Sequence, residues 1–298
     1  MNLVYKSADG ERAVRERYLK FLSYWPVPND QVRVPTRQGE TFVVVSGPAD
    51  APPLLLLHGS AVNSAMWMGD ITEWAQHFRV YAVDLIGEPG LSTPSRPPLS
   101  SDAHALWLDD VMQGLSLTHT SIVGASLGGF LALDYAIRRP GRVDSLAALC
   151  PGGVGRQKIG FLIKVFPLLL MGGWGKRKAG ELILGRMPEN VSPAVRKFAE
   201  FVSLIHENFR PRRAKLPIFS DDSLRQLKMP LMAVLGGKDV LFDNANARDR
   251  LARNVPHAKI CYLPEAGHLL PRQTATILEF LGPQVRHVVY CPGTKWTE

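Results

Sequence analysis

Six short runs of apolar residues recur along this chain, at residues 54–57, 80–83, 121–123, 143–149, 231–235 and 259–263. Near-continuous apolarity over three to seven residues suits a strand buried on both faces, because alternating polar residues would have no solvent to face. Most runs are separated by helical patterns, at 67–77, 102–117, 127–138 and 246–255. Strand–helix alternation of this kind predicts right-handed crossovers and a mostly parallel, doubly wound sheet, hence an α/β fold.

Two features precede this rhythm. Residues 11–23 carry Val14, Tyr18, Leu19 and Leu22 at helical spacing with charges between them, and Pro26 and Pro28 follow. That predicts an amphipathic helix with a sharp end. Residues 32–45 contain two extended runs around Arg37-Gln38-Gly39-Glu40, which predicts a hairpin. The rhythm breaks between residues 152 and 228, where helical patterns are interrupted by Gly172-Gly173, Pro188, Pro193, Pro211 and Pro217. Because strands resume afterwards, this stretch reads as an inserted helical cap. The expected division is an N-terminal helix and linker (1–29), a core (30–151 and 229–284), the cap (152–228) and a C-terminal tail (285–298).

The run at 121–123 leads into Gly124-Ala125-Ser126-Leu127-Gly128-Gly129 and then a helix. Strand, G-x-S-x-G and helix in that order predict a nucleophile elbow. A serine on so tight a turn needs glycine on either side, since side chains there would collide. Its hydroxyl would stand at a helix N-terminus, where the dipole favours developing negative charge. Serine is a weak nucleophile at neutral pH and needs an adjacent base. His268 lies in Pro264-Glu265-Ala266-Gly267-His268, just after the last strand, where a loop side chain can hang over the nucleophile; His287 is the fallback. The acid should leave the preceding strand, and residues 231–235 run into Gly236-Gly237-Lys238-Asp239. Asp239 therefore sits at the carboxyl end of a buried strand, with Asp243 as runner-up. The loop after 54–57, His58-Gly59-Ser60-Ala61, is placed to supply the Ser60 N–H to an oxyanion hole, the second donor being the Leu127 N–H. His58 reads as a structural hydrogen-bonder beneath that loop. Asp84 to Ser92, with Gly87, Pro89 and Gly90, reads as a tight turn shaping the fold and the pocket floor.

Taken together, His58-Gly59, the Asp84…Gly87…Gly90…Ser92 turn, the elbow at Ser126, Gly236-x-x-Asp239 and Ala266-Gly267-His268 resemble the α/β-hydrolase superfamily over about residues 30–282. The helix ending in Leu22-Ser23-Tyr24-Trp25-Pro26-Val27, with Val43-Val44-Val45-Ser46-Gly47-Pro48 after it, resembles bacterial carboxylesterases of the Bacillus carboxylesterase NP type. The resemblance implies an α/β-hydrolase fold and hydrolysis of a small-molecule carboxylic ester through an acyl-enzyme, with no cofactor and no metal. Dehalogenases and epoxide hydrolases of this fold carry aspartate where Ser126 stands. Cofactor-free perhydrolases (haloperoxidases) and carbon–carbon bond hydrolases share the Ser-Asp-His set, and a ligand-binding receptor on the same scaffold is the non-enzymatic alternative.

Composition narrows the remaining classes. Of 298 residues, 46% are hydrophobic and 21% charged, which suits a globular chain and excludes a mostly disordered one. The net charge of +8 does not point to nucleic acid, because the basic residues form no stripe interleaved with aromatics. The excess lies in one place: residues 150–230 hold fifteen lysines and arginines against six acids. Two readings follow, solvated helix faces over an apolar underside at Phe161, Leu162, Val165, Phe166, Leu168, Leu169 and Leu170, or a field that steers anionic substrates. The most apolar window, 160–174, contains Lys164 and Pro167 and is too short to span a bilayer. The N-terminus has no apolar core of a secretory signal. Cys150, Cys261 and Cys291 are odd in number and form no C-x-x-C pair, so Cys150 and Cys261 are expected as buried thiols in a cytoplasmic protein.

Overall fold

The computed structural model describes residues 4–158, 160, 165–168, 170–184, 191–212 and 214–282. One sheet of eight strands forms among them: β1 (Asn29–Thr36), β2 (Gly39–Ser46), β3 (Pro53–Leu57), β4 (Arg79–Val83), β5 (Thr120–Ala125), β6 (Val143–Leu149), β7 (Leu231–Gly236) and β8 (Lys259–Leu263). The spatial order is β1-β2-β4-β3-β5-β6-β7-β8. The first two strands are the expected hairpin, paired from Asn29↔Ser46 to Thr36↔Gly39, and β2 runs antiparallel to β4. All remaining pairs are parallel, as the strand–helix alternation predicts.

Strand β3 shows why a parallel strand reads as an unbroken apolar run. Leu55 and Leu57 face the core that holds Trp107, Leu108, Phe130, Leu131 and Leu251, from helices α3 (Ala103–Gly114), α4 (Leu127–Arg138) and α8 (Asn244–Asn254). Leu54 and Leu56 face the opposite core, with Trp67, Trp74, Val14, Tyr18, Ile277 and Phe280. All four leucines are completely buried. Strand β3 is therefore clamped between two layers.

Helix α1 (Ala8–Leu22) begins three residues before the expected helix, because the Ser7 side chain accepts from the Gly10 N–H and caps it there. The helix expected at 67–77 is shorter: a 3-10 turn at Ser64–Gly69 precedes α2 (Ile71–Trp74). Asn63, capping Ala65, starts the turn early, and the turn closes at Gly69. Between β6 and β7 the described residues form α5 (Gly172–Leu184), α6 (Pro193–Asn208) and the short α7 (Asp221–Leu224), with no strand of the sheet. Helix α1 packs on α6. Phe21 stacks on Phe201 at 5.0 Å between ring centroids, and Tyr18 on the same ring at 6.2 Å.

Three further expectations meet the structure unevenly. Val165 is buried and Leu168 half-buried, but Phe166 and Leu170 are 64% and 75% exposed, so these two supply no apolar underside. Phe161, Leu162 and Leu169 lie outside the described residues. Cys150 is a buried free thiol as expected, whereas Cys261 is buried and disulfide-bonded. No helix among the described residues is long and apolar enough to cross a membrane.

Candidate active site

The elbow after β5 is built from backbone strain. Ser126 has φ 51° and ψ −106°, a conformation L-residues rarely adopt. The turn closes because its neighbours lack side chains. A Cβ at Gly124 would lie 2.5 Å from the Gly128 carbonyl oxygen, and one at Gly128 would lie 2.1 Å from that of Leu57. The Ser126 N–H donates to the Leu149 carbonyl at 2.8 Å, and its own carbonyl accepts from Phe130 and Gly152. The strained residue is thereby tied to both neighbouring elements.

Three chain-distant residues meet here. His268 Nε2 is 3.0 Å from Ser126 Oγ, and its Nδ1 is 2.7 Å from Asp239 Oδ2. The Asp239 carboxylate can only accept, so Nδ1 carries the proton and Nε2 presents its lone pair to the serine hydroxyl. Asp239 leaves the end of β7 with a fully buried side chain. Its Oδ1 accepts from the Leu241 and Phe242 N–H groups at 2.7 and 3.2 Å. Burial works to raise the Asp239 pKa, but His268 and those two amides outweigh it and hold the carboxyl below its ordinary value.

Asp243, the alternative acid, does not face His268. It caps α8, accepting from the Asn246 N–H at 3.2 Å. His287, the alternative base, lies outside the described residues. Two contributors escaped the sequence reading. Asn244 Nδ2 donates to Asp239 Oδ2 at 3.0 Å and to the Gly236 carbonyl at 2.9 Å, so it braces the acid from below. Phe242 packs its ring 5.4 Å from that of His268. A buried asparagine at the start of a helix, five residues after a strand-end aspartate, was the available signal for the first.

The loop after β3 stands over the serine: a Cβ at Gly59 would be 3.6 Å from Ser126 Cβ. Fully buried His58 accepts the Leu85 N–H on Nε2 at 2.9 Å, so its Nδ1–H donates to the Gly59 carbonyl at 2.7 Å. Burial, the largest influence on this ring, lowers its pKa and keeps it neutral. A trans peptide points its C=O and N–H in opposite directions. Anchoring the Gly59 carbonyl on His58 therefore turns the Ser60 N–H the other way. Neither that N–H nor the Leu127 N–H, first in α4, meets an acceptor among the described residues. The Asp84 turn lies alongside, its carboxylate accepting from Tyr18, Ser64 and Leu91.

Cys150 Sγ, the Asp239 carboxylate and the His268 imidazole lie within 4.8 Å of one another. They are a poor cation site as they stand. The Nδ1 lone pair carries a proton, and burial pushes the Cys150 thiol up to about 12. Ser126 Oγ, His268 and Asp239 lie instead in a hydrogen-bonded line, an arrangement that can carry a proton between oxygen and nitrogen.

Known proteins resemble this chain over most of its length. Residues 54–278 match the model of the alpha/beta hydrolase family. An uncharacterized carboxylesterase, nap, of Bacillus subtilis (strain 168) is 33% identical over 268 residues, 88% of each chain. Carboxylesterase YbfK of the same organism is 31% identical, over 86% of this chain and 87% of its own. The crystal structure of the naproxen esterase, carboxylesterase NP, of Bacillus subtilis superposes with a TM-score of 0.79 at 29% identity, covering 93% of this chain and all of the other. Eight strands in hydrolase order, a serine on a strained elbow and a match through the whole catalytic body lead to one assignment: the chain belongs to the alpha/beta hydrolase family and is a hydrolase.

Proposed function

We propose that the chain is a carboxylesterase of the EC 3.1.1 type, with Ser126 as nucleophile, His268 as general base and Asp239 as the orienting acid. The observation that carries this reading is the continuous relay from Ser126 Oγ through His268 to Asp239, at 3.0 and 2.7 Å. Ser126 Oγ adds to the ester carbonyl carbon while its proton passes to His268 Nε2. The imidazolium is stabilised by Asp239, and the oxyanion accepts from the Ser60 and Leu127 N–H groups. Collapse expels the alcohol, which takes the proton from His268, and leaves an acyl group on Ser126. Water, deprotonated by His268, then hydrolyses that acyl-enzyme to carboxylic acid and free serine. The names of the relatives, two carboxylesterases and a naproxen esterase, support an ester as substrate.

Residues 152–228 are read as a cap over this site. Supporting that placement, Lys158 Nζ donates to the Asp239 carbonyl at 2.9 Å and Gln157 bridges to Phe242. The experiment is fluorophosphonate labelling followed by peptide mass spectrometry, paired with turnover of short p-nitrophenyl esters. The expected result is one adduct, on Ser126, and ester turnover abolished in step with labelling. Labelling elsewhere overturns the assignment. Labelling of Ser126 without ester turnover points instead to a carbon–carbon bond hydrolase, and absence of both to a receptor.

A further inference from the structure

A fully buried carboxylate outside the Ser126–His268–Asp239 relay grips the loop beside it. Glu88, on the turn after β4, has a side chain with no exposed surface. Its Oε2 accepts both from Ser60 Oγ and from the Ala61 N–H, each at 2.9 Å. Its Oε1 accepts from Arg212 Nε at 3.2 Å, and Arg212 is 90% buried. Arg212 comes from the segment between β6 and β7, and further donates to the Ile86 and Pro97 carbonyls. One of the fifteen basic residues of that segment is thus turned inward rather than to water.

The effect on Ser60 follows from peptide geometry. Two planar peptides flank its Cα, and together they define its φ and ψ. The peptide before Ser60 is pinned through the Gly59 carbonyl on His58. The peptide after it is pinned through the Ala61 N–H on Glu88. Ala61 itself sits at φ 59°, which a non-glycine residue holds only when its surroundings impose it. With both planes fixed, the direction of the Ser60 N–H is fixed too. A buried carboxylate can do this only while its charge is balanced, and Arg212 supplies the balance.

We infer that Glu88 is a positioning residue for the hydrolytic reaction: held by Arg212, it fixes the Ser60–Ala61 turn so that the Ser60 N–H stays aimed at the oxyanion. The inference rests on the oxyanion hole of the proposed function and adds a dependence on the β6–β7 segment, which reaches the reaction through Arg212. An oxyanion donor acts on the transition state and hardly at all on the bound ester. Glu88 therefore governs kcat and leaves KM nearly unchanged.

Two variants test this. Glu88→Asp keeps the charge but shortens the arm by one methylene, so it cannot span Ala61 and Arg212 together. Glu88→Leu combined with Arg212→Leu replaces the ion pair by an apolar pair of similar bulk, a type of exchange that folded proteins tolerate. Each is measured for kcat and KM on a p-nitrophenyl ester, for affinity toward a trifluoromethyl ketone whose serine adduct is an alkoxide, and for thermal unfolding. The expected result is a kcat reduced about tenfold in the first and on the order of 10²-fold in the second. Trifluoromethyl ketone affinity falls by matching factors, and KM stays within about threefold. A folded variant of either kind with wild-type kcat and ketone affinity overturns the inference, as does a loss confined to KM. Failure of the parent reading looks different: Ser126→Ala would then retain ester turnover.

Discussion

At the scale of single residues, the two aspartates near the end of β7 divide their labour by what they face. Asp239 accepts from His268 Nδ1, and Asp243 accepts from the first turn of α8. Asp239→Asn would place an amide against Nδ1 and favour the tautomer that carries its proton on Nε2, the wrong nitrogen for a base. The expected outcome is a kcat lower by 10³-fold or more in a folded protein, a loss of the kind known for serine proteases. Asp243→Ala removes only a helix cap, at about 1 kcal/mol of stability, with kcat unchanged. Steady-state kinetics with denaturant unfolding on both variants separates the roles; a harmless Asp239→Asn beside a damaging Asp243→Ala would exchange them. Ser126 and its glycines were legible in the sequence because the elbow is local, and steric need writes it into five consecutive positions. Glu88, Asn244 and Phe242 were not, because their partners lie elsewhere in the chain or their local contacts depend on a fold that spacing does not specify.

At the scale of elements, legibility follows burial. The strands β6 and β8 and the helix α4 coincide with the residues expected for them. Helix α4 and most of β6 are buried, which permits one periodicity, whereas β8 buries Cys261 alone and is legible from its run of apolar residues. The segment between β6 and β7 obeys no such rule, since amphipathic helices fit many partners and only the assembled neighbours choose among them. Its α6 finds its partner in α1, through Phe201, which is completely buried between Tyr18, Phe21 and Phe198. Phe201→Ala should cost about 3–5 kcal/mol in denaturant titration, because a helix pair joined by aromatic stacking collapses poorly around a lost ring. Val195→Ala, on the exposed side of the same helix, should stay within about 0.5 kcal/mol. Similar small losses for both would mean that α1 and α6 do not depend on this contact.

At the scale of the whole molecule, buried histidines set the response to acid. His104 on α3 is buried, and its Nδ1 has no partner among the described residues. Burial, helped by the Arg212 charge, lowers its pKa from the ordinary 6.5 to about 3. Between those values the unfolded chain binds a proton that the folded one refuses. Stability is therefore complete above about pH 6.5 and declines toward pH 3, by about 1.4 kcal/mol per pH unit from this residue. His104→Leu should make the fall in unfolding free energy between pH 6 and pH 4 shallower by about that slope. An unchanged slope would place the acid sensitivity elsewhere, with His58, whose pKa is also lowered by burial, as the next site to examine.

The strained serine, the relay behind it and the loop above it have one purpose in this account, transfer of an acyl group through Ser126. The most direct measurement is ester turnover by Ser126→Ala, with circular dichroism and thermal unfolding showing that the protein is folded. The expected result is kcat/KM reduced by at least 10³-fold, with the residual rate set by binding and the oxyanion donors alone. Turnover of a p-nitrophenyl ester at the wild-type rate by a folded Ser126→Ala protein would contradict it.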